Sequence, residues 1–108
     1  MIDIPALIEL LGGDEDCVKE LFGIFIEHNV PTIKSVETSY LAGDTETLFH
    51  SCHSLSGALS NLCEQDCVPL IQECEQIAKS GSLPEKEKLD LLFAKLKETT
   101  AQIENHIK

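Results

Sequence analysis

Residues 48–63, LFHSCHSLSGALSNLC, carry the pattern that decides the fold. Apolar residues recur here at intervals of four and three, which places them on one stripe of an α-helix; they are Leu48, Cys52, Leu55, Leu59 and Leu62. Gly43 is a helix stop, and Asp44 after it can cap a new helix. The stretch therefore predicts a central helix of about 18 residues that buries this stripe and ends near Leu62.

The face of this helix opposite the stripe consists of small residues around one histidine. His53 has Ser56, Gly57 and Ser60 beside it or one turn above it, and Phe49 lies one turn below. Serine and glycine are poor helix formers, and a glycine inside a helix costs about 1 kcal/mol relative to alanine. Small residues leave the edge of the imidazole open to a bulky partner. We therefore predict a functional role for this face.

The sequence before the central helix predicts further helical segments. Apolar residues at helical spacing predict a short first helix that ends at the glycine pair 12–13; they are Ile2, Ile4, Leu7, Ile8 and Leu11. A second pattern, with Asp14 as its N-cap, covers residues 14–42. Pro31 interrupts this pattern, because proline lacks an amide donor and clashes with the preceding turn. We expect one long helix kinked near Pro31, with two helices split at Asn29 as the alternative.

Two more helices are predicted after the central one. Asp66 is a plausible N-cap for the first of them, and Pro69 then falls in its first turn, where proline is tolerated. Ser82 and Glu85 have the spacing of a capping box for the last helix, with Pro84 in its first turn. No stretch alternates as a strand would. We expect an all-α fold, an antiparallel up-down-up-down four-helix bundle with a short extra N-terminal helix, as a single domain over residues 1–108.

Composition and charge limit the class of protein. The 108 residues are 43% hydrophobic and 25% charged, as in an ordinary globular domain, and no apolar run approaches the length of a membrane span. Eight Lys+Arg against nineteen Asp+Glu give a net charge of −11, which repels nucleic acid and anionic lipid. We expect neither as a partner. The N-terminus lacks the basic start of a signal peptide and the five cysteines lack a CxxC pair, so we expect reduced thiols in a cytoplasmic monomer.

The segment HSLSGALSNL, from His53 to Leu62, resembles the signature of histidine-containing phosphotransfer (HPt) domains, H-x-L-K-G followed by small residues and an apolar position. The similarity extends over nearly the whole chain. LLGGDEDCVKELFGIFIEH at 10–28 resembles the opening of the family, and LAGDTETLFHSCH at 41–53 resembles its approach to the histidine. CVPLIQECEQIAKSG at 67–81 resembles the helix after the signature. Spacing, caps and length agree together, so the resemblance is specific.

This resemblance implies a helical carrier that accepts a phosphoryl group from a receiver-domain aspartyl phosphate and passes it to, or takes it back from, a response regulator. His53 matches the phosphorylated histidine, and Gly57 matches the glycine that gives a partner room. The implied partners are response-regulator receiver domains and a hybrid sensor histidine kinase, with no cofactor of the chain's own and Mg²⁺ supplied by the receiver. Ser56 stands where the family usually has a lysine, and it offers one hydroxyl in place of a cation.

The residue chemistry agrees with a carrier that is not itself an enzyme. A neutral imidazole is a competent nucleophile near pH 7. Phosphoryl transfer also needs positioning and charge neutralisation, usually from Mg²⁺ and a cation. The chain has no glycine-rich phosphate loop, no lysine on the His53 face of its helix and no evident carboxylate cluster for a metal. We therefore expect it to present the nucleophile while the partner supplies the rest.

Three further residues are candidates for the site, and two other functions are possible. His50 lies about 60° around the helix from His53, with at most a modulating role, while Phe49 and Ile24 fall off the apolar stripes and are candidate partner contacts. A metal site is one alternative, because His50/His53 and Cys63/Cys67 each have a spacing that ligands on a helix can use. The other alternative is a transfer-inactive interaction bundle that binds receiver domains or kinases.

Overall fold

The computed structural model describes residues 1–108 and contains helices and no strand. The helices are α1 (Ile4–Leu10), α2 (Glu15–His28), α3 (Val30–Ala42), α4 (Thr45–Asn61), α5 (Cys67–Lys79) and α6 (Lys86–Ile107). One isolated antiparallel bridge joins Ile2 to Glu64. The predicted all-α class is confirmed. None of the six helices combines the length and the apolar character needed to cross a membrane.

The segment expected as one kinked helix is two helices. α2 ends at His28 and α3 begins at Val30, with Asn29 between them, so the prediction of a single helix was wrong and the split at Asn29 is observed. Asn29 keeps a right-handed helical conformation, and its N–H still bonds to the carbonyl of Phe25 at 2.8 Å. Pro31 lies in the first turn of α3, where the N–H that it lacks would have no partner within the helix. The interruption is therefore one residue long.

Two of the predicted helix caps form and two do not. Asp14 and Asp44 accept hydrogen bonds from backbone N–H groups three residues further on, at 3.0 and 3.1 Å, as predicted. Asp66 caps nothing, because its carboxylate pairs with the Met1 ammonium. The buried carboxylate of Glu64 takes its place and accepts from the N–H groups of Cys67 and Val68 at the start of α5.

The capping box expected before the last helix is absent. α6 begins at Lys86, and Glu85 occupies the N-cap position without a side-chain hydrogen bond. Pro84 therefore precedes the helix and does not lie in its first turn. Lys86 instead pairs with Asp90 at 2.9 Å within the helix, an i,i+4 contact that stabilises the exposed first turns modestly.

α4 lies between two neighbours in an elongated molecule of 42 × 20 × 20 Å. It packs most extensively against α5 and, on its other side, against α3, while α6 packs against α2 and α5. The predicted stripe is confirmed, because all five of its members are buried in the hydrophobic core: Leu48, Cys52, Leu55, Leu59 and Leu62. Full burial of each leucine contributes about 1.5–3 kcal/mol. This stripe therefore holds α4 in one rotation about its axis, with His53 turned outward.

Candidate functional site

His53 is an exposed side chain with a fixed hydrogen bond. Its imidazole is 73% exposed, yet Nδ1 lies 2.6 Å from Oε1 of Glu75, whose side chain is only 12% exposed. An ionised carboxylate only accepts hydrogen bonds, so Nδ1 carries the proton and donates it. In the neutral imidazole, a proton on Nδ1 leaves the lone pair on Nε2, at the far edge of the ring. The structure therefore presents Nε2 to solvent as a nucleophile.

Glu75 reaches His53 because α5 is an antiparallel neighbour of α4. The two helices are joined only by residues 62–66, and they pack against each other along their lengths. The apolar stripe of α5 is buried in the core: Cys67, Ile71, Cys74 and Ala78. Glu75 follows Cys74 and lies at the edge of this stripe, on the flank that meets α4. Helical periodicity shows no sign of this contact, and Glu75 was not among the predicted site residues.

Phe49 supports the histidine from one turn below. Its ring stacks with that of His53 at a centroid distance of 6.0 Å and an interplanar angle of 30°. It also contacts the His50 ring, at 5.2 Å and 59°. Phe49 is only half-exposed and packs against the hydrophobic core. Phe49 therefore packs between the core and the His53 ring, and its role as a partner contact stays a prediction.

The surface above His53 is bare, as the small residues predict. Gly57 and Ser60 are both exposed. A Cβ added to Gly57 would meet nothing within 4 Å, so no close packing explains a glycine in the middle of α4. Alanine there would favour the helix by about 1 kcal/mol. The glycine keeps open a space that this chain does not fill by itself.

Ser56 is not part of this open surface, contrary to the sequence-based prediction. It is only 7% exposed, since it lies on the flank of α4 that α5 covers. The apolar stripe predicts where the buried face of α4 is centred, but it does not predict how wide that face is. The extensive contact with α5 extends the buried face of α4 to include Ser56. Ser56 is therefore one turn from His53 along the helix but under the edge of the neighbouring helix.

Ile24 is exposed but lies apart from His53. It is 48% exposed on α2, and it lines a cavity of about 160 Å³ together with residues from the C-terminal half of α4, including Ala58 and Asn61. The structure thus brings Ile24 near the turn that follows Gly57. Neither His53 nor Gly57 lines this cavity, so Ile24 is not grouped with the imidazole.

His50 occupies a different environment on the other flank of α4. It lines a groove of about 390 Å³ between α3 and α4, in which most of the other lining residues carry hydroxyl groups: Thr32, Ser35, Thr47, Ser51 and Ser54. Two of these hydroxyls, Ser35 Oγ and Ser51 Oγ, bond to each other at 2.9 Å. The His50 ring is exposed and makes no hydrogen bond. Nothing selects one tautomer of His50.

The possible metal ligands do not assemble into a site. No three His, Cys, Asp or Glu side chains lie close enough to hold a metal ion, and all five cysteines are free. Burial raises the pKa of Cys52 and of Cys67 to about 12 and that of Cys74 to about 11. These thiols stay protonated at neutral pH in the free protein. The pairs His50/His53 and Cys63/Cys67 therefore remain isolated pairs.

No family model, curated protein or solved structure matches the chain. The functional conclusion therefore depends on His53, its partners Glu75 and Phe49, and the open space at Gly57.

Proposed function

We propose that the chain is a phosphoryl carrier of the histidine-containing phosphotransfer type, with His53 as the group that is phosphorylated. The hydrogen bond from His53 Nδ1 to Glu75 Oε1, at 2.6 Å, is the observation that carries this proposal. A histidine that is merely solvated has no need of a buried carboxylate, whereas a nucleophilic histidine needs a defined tautomer and a fixed direction for its lone pair.

The proposed transfer step uses this geometry. The Nε2 lone pair attacks the phosphorus of an aspartyl phosphate on a receiver domain, in line with the leaving oxygen. An N–P bond forms, the P–O bond breaks, and the aspartate leaves as a carboxylate on the partner. The Nδ1 proton stays in place, so the imidazole ring gains a positive charge beside the Glu75 carboxylate. A charge-assisted hydrogen bond of this kind is about twice as strong as a neutral one, and it stabilises the phosphorylated ring.

The metal ion that the reaction requires comes from the partner. The chain offers no three metal-ligating side chains together, and transfer from an acyl phosphate needs a metal and a cation at the phosphoryl oxygens. We propose that a receiver domain brings Mg²⁺ and a lysine, and that the chain acts between a hybrid sensor kinase and a response regulator without kinase activity of its own. The bare surface at Gly57 admits the receiver domain to His53.

We also propose that the helices form an up-down-up-down four-helix bundle. Helices α2 and α3 together would form its first long member, because only Asn29 separates them. Short connections join α3 to α4 and α4 to α5, which favours antiparallel neighbours. Packing of α6 against both α2 and α5 closes the arrangement. In such a bundle the outer face of α4 is a free surface, as a docking site requires.

The test of the proposal is incubation of the purified chain with a panel of phosphorylated receiver domains. We expect an acid-labile, alkali-stable label on the wild type and on His50→Gln, and none on His53→Gln. Glutamine can still donate a hydrogen bond to Glu75, so the stability of His53→Gln should stay within about 0.5 kcal/mol of the wild type, as measured by thermal melting.

Two outcomes would contradict this proposal. A label that persists in His53→Gln and disappears in His50→Gln would make His50 the phosphorylated residue. No label from any receiver domain, together with measurable binding to one of them, would favour the transfer-inactive interaction bundle.

A further inference from the structure

The surroundings of His53 present an electrostatic difficulty for phosphoryl transfer. A phosphoryl group on Nε2 would carry about two negative charges on a chain whose net charge is already −11. The Glu75 carboxylate beside the ring adds a further negative charge to the site. Ser56 supplies no cation, and its side chain is buried under α5. A cation elsewhere on the chain would therefore stabilise a phosphorylated His53.

Lys79 is the only lysine in α4 and α5. It lies in the last turn of α5, one turn beyond Glu75 on the same flank of the helix, and it is exposed. Because α4 and α5 are antiparallel, Lys79 lies about 6 Å along the helix from the level of Glu75, beside the turn that contains Phe49. Helical side chains lean toward the N-terminus, so the stem of Lys79 leans toward the level of His53.

The ammonium group of Lys79 has no ion-pair partner. A glutamate followed four residues later by a lysine is the favourable order for an ion pair within a helix. Glu75 and Lys79 have this order, but the salt bridge that Glu75 makes is with His53. The remaining salt bridges of the chain also involve cations other than Lys79, so no carboxylate oxygen lies within 4 Å of Lys79 Nζ. The lysine is therefore available to a new anion at this level.

A simpler role for Lys79 also exists. A lysine in the last turn of a helix compensates the negative end of the helix dipole. This role predicts a small loss of stability when the charge is removed, and it predicts no effect on phosphorylation. The two roles can be separated by experiment, because one is read from melting and the other from the rate of labelling.

We propose that Lys79 is the cation of the His53 site: its ammonium pairs with the oxygens of the phosphoryl group on Nε2. This inference rests on the proposed phosphocarrier function. Lys79 takes no part in the bonds that change, and its proton stays on Nζ throughout. It acts by offsetting the charge that arrives with the phosphoryl group, from the α5 side of the site. The lysine absent at position 56 of α4 would thus be replaced from the neighbouring helix.

The experiment compares labelling rates of three variants with two phosphodonors. Lys79→Gln removes the charge, Lys79→Arg keeps it, and Lys19→Gln makes the same change in net charge on α2, away from the α4/α5 surface. The donors are phosphoramidate, which needs no docking, and a phosphorylated receiver domain. We expect Lys79→Gln to be labelled about three- to tenfold more slowly with both donors, with a smaller effect at high salt. Lys79→Arg should stay within about twofold of the wild type, and Lys19→Gln should match it.

The other outcomes overturn the inference in distinguishable ways. Equal slowing in Lys19→Gln would mean that net charge matters and the position of Lys79 does not. Slowing with the receiver domain alone would mean that Lys79 contacts the partner protein and not the phosphoryl group. Labelling of Lys79→Gln at the wild-type rate would mean that Lys79 only compensates the helix dipole of α5. An unlabelled wild type with both donors would defeat the phosphocarrier function itself, and this inference with it.

Discussion

His53 and His50 stand three residues apart on α4, both exposed, yet their surroundings differ. His53 donates to the Glu75 carboxylate and stacks on Phe49. The His50 ring also lies beside the Phe49 ring but makes no hydrogen bond, and it lines a groove together with hydroxyl groups. The difference comes from the neighbouring helices, because α5 brings a carboxylate to one flank of α4 and α3 brings serines and threonines to the other.

The comparison shows what distinguishes a candidate nucleophile from a surface histidine. Both residues are exposed histidines, so neither exposure nor residue type distinguishes them. A carboxylate at Nδ1 selects the tautomer and stabilises positive charge on the ring, whereas hydroxyl groups that make no hydrogen bond to the ring do neither. The predictions below test this difference between the two flanks, beginning with the largest expected effect.

Blocking the space above each histidine should affect transfer unequally. Gly57→Arg fills the open space one turn above His53, and Ser54→Arg places the same side chain one turn above His50. We expect transfer from a receiver domain to fall about 100-fold in Gly57→Arg and less than about threefold in Ser54→Arg, because displacing the reacting atoms by about 1 Å has an effect of that size. The measurement is the initial rate of transfer from one phosphorylated receiver domain.

Phosphoramidate provides the control for this comparison. The small donor needs no docking surface, so Gly57→Arg should be labelled at close to the wild-type rate, with its helical circular dichroism intact. Equal loss of receiver transfer in both arginine variants would mean that the two flanks are one docking surface and that Gly57 has no special place in it.

Removing the charge of Glu75 should weaken the feature that separates His53 from His50. Glu75→Gln keeps the shape of the side chain but replaces a charge-assisted hydrogen bond by a neutral one, so we expect phosphorylation of His53 to slow about tenfold. The amide can also donate to Nδ1, which would move the proton to Nε2. Nitrogen NMR of the imidazole should therefore show the Nδ1–H tautomer for the wild type and a mixture for the variant.

A purely structural role for Glu75 would give a different result. Melting of Glu75→Gln would then change while the tautomer of His53 and its labelling rate did not. The spectrum of His50 serves as an internal reference, since no carboxylate bonds to its ring and the substitution should leave its tautomers unchanged.

The smallest effect is expected at Ser56, on the flank of α4 that α5 covers. In Ser56→Lys the lysine stem must bend outward from a position that is 7% exposed, so the free energy of unfolding should fall by about 1–2 kcal/mol. Its ammonium would emerge near His53 and speed acceptance from a receiver domain about threefold. Ser60→Lys, at an exposed position one turn further on, should leave melting unchanged. An unchanged melting temperature in Ser56→Lys would show that the contact between α4 and α5 at Ser56 accommodates a lysine without loss of stability.

The local sequence determines most helix positions and the direction in which His53 points. Apolar spacing indicates the helical segments, although it did not separate α2 from α3, and Asp14 and Asp44 mark the starts of α2 and α4 through bonds to N–H groups three residues away. Gly43 ends α3 in the left-handed conformation that glycine adopts without strain. The stripe of α4 also predicts the outward direction of His53. Each of these features depends on residues within about one turn of each other, so the local sequence is sufficient.

Only the tertiary structure decided which helix lies against each flank of α4, and the site depends on that choice. The pairing of His53 with Glu75 joins residues 22 positions apart in the chain. The burial of Ser56 and the replacement of Asp66 by Glu64 as the cap of α5 are decided in the same way, by neighbours distant in sequence. Helical periodicity describes one helix at a time. The partner of an exposed side chain is set by how the helices pack, and packing minimises the free energy of the whole core at once.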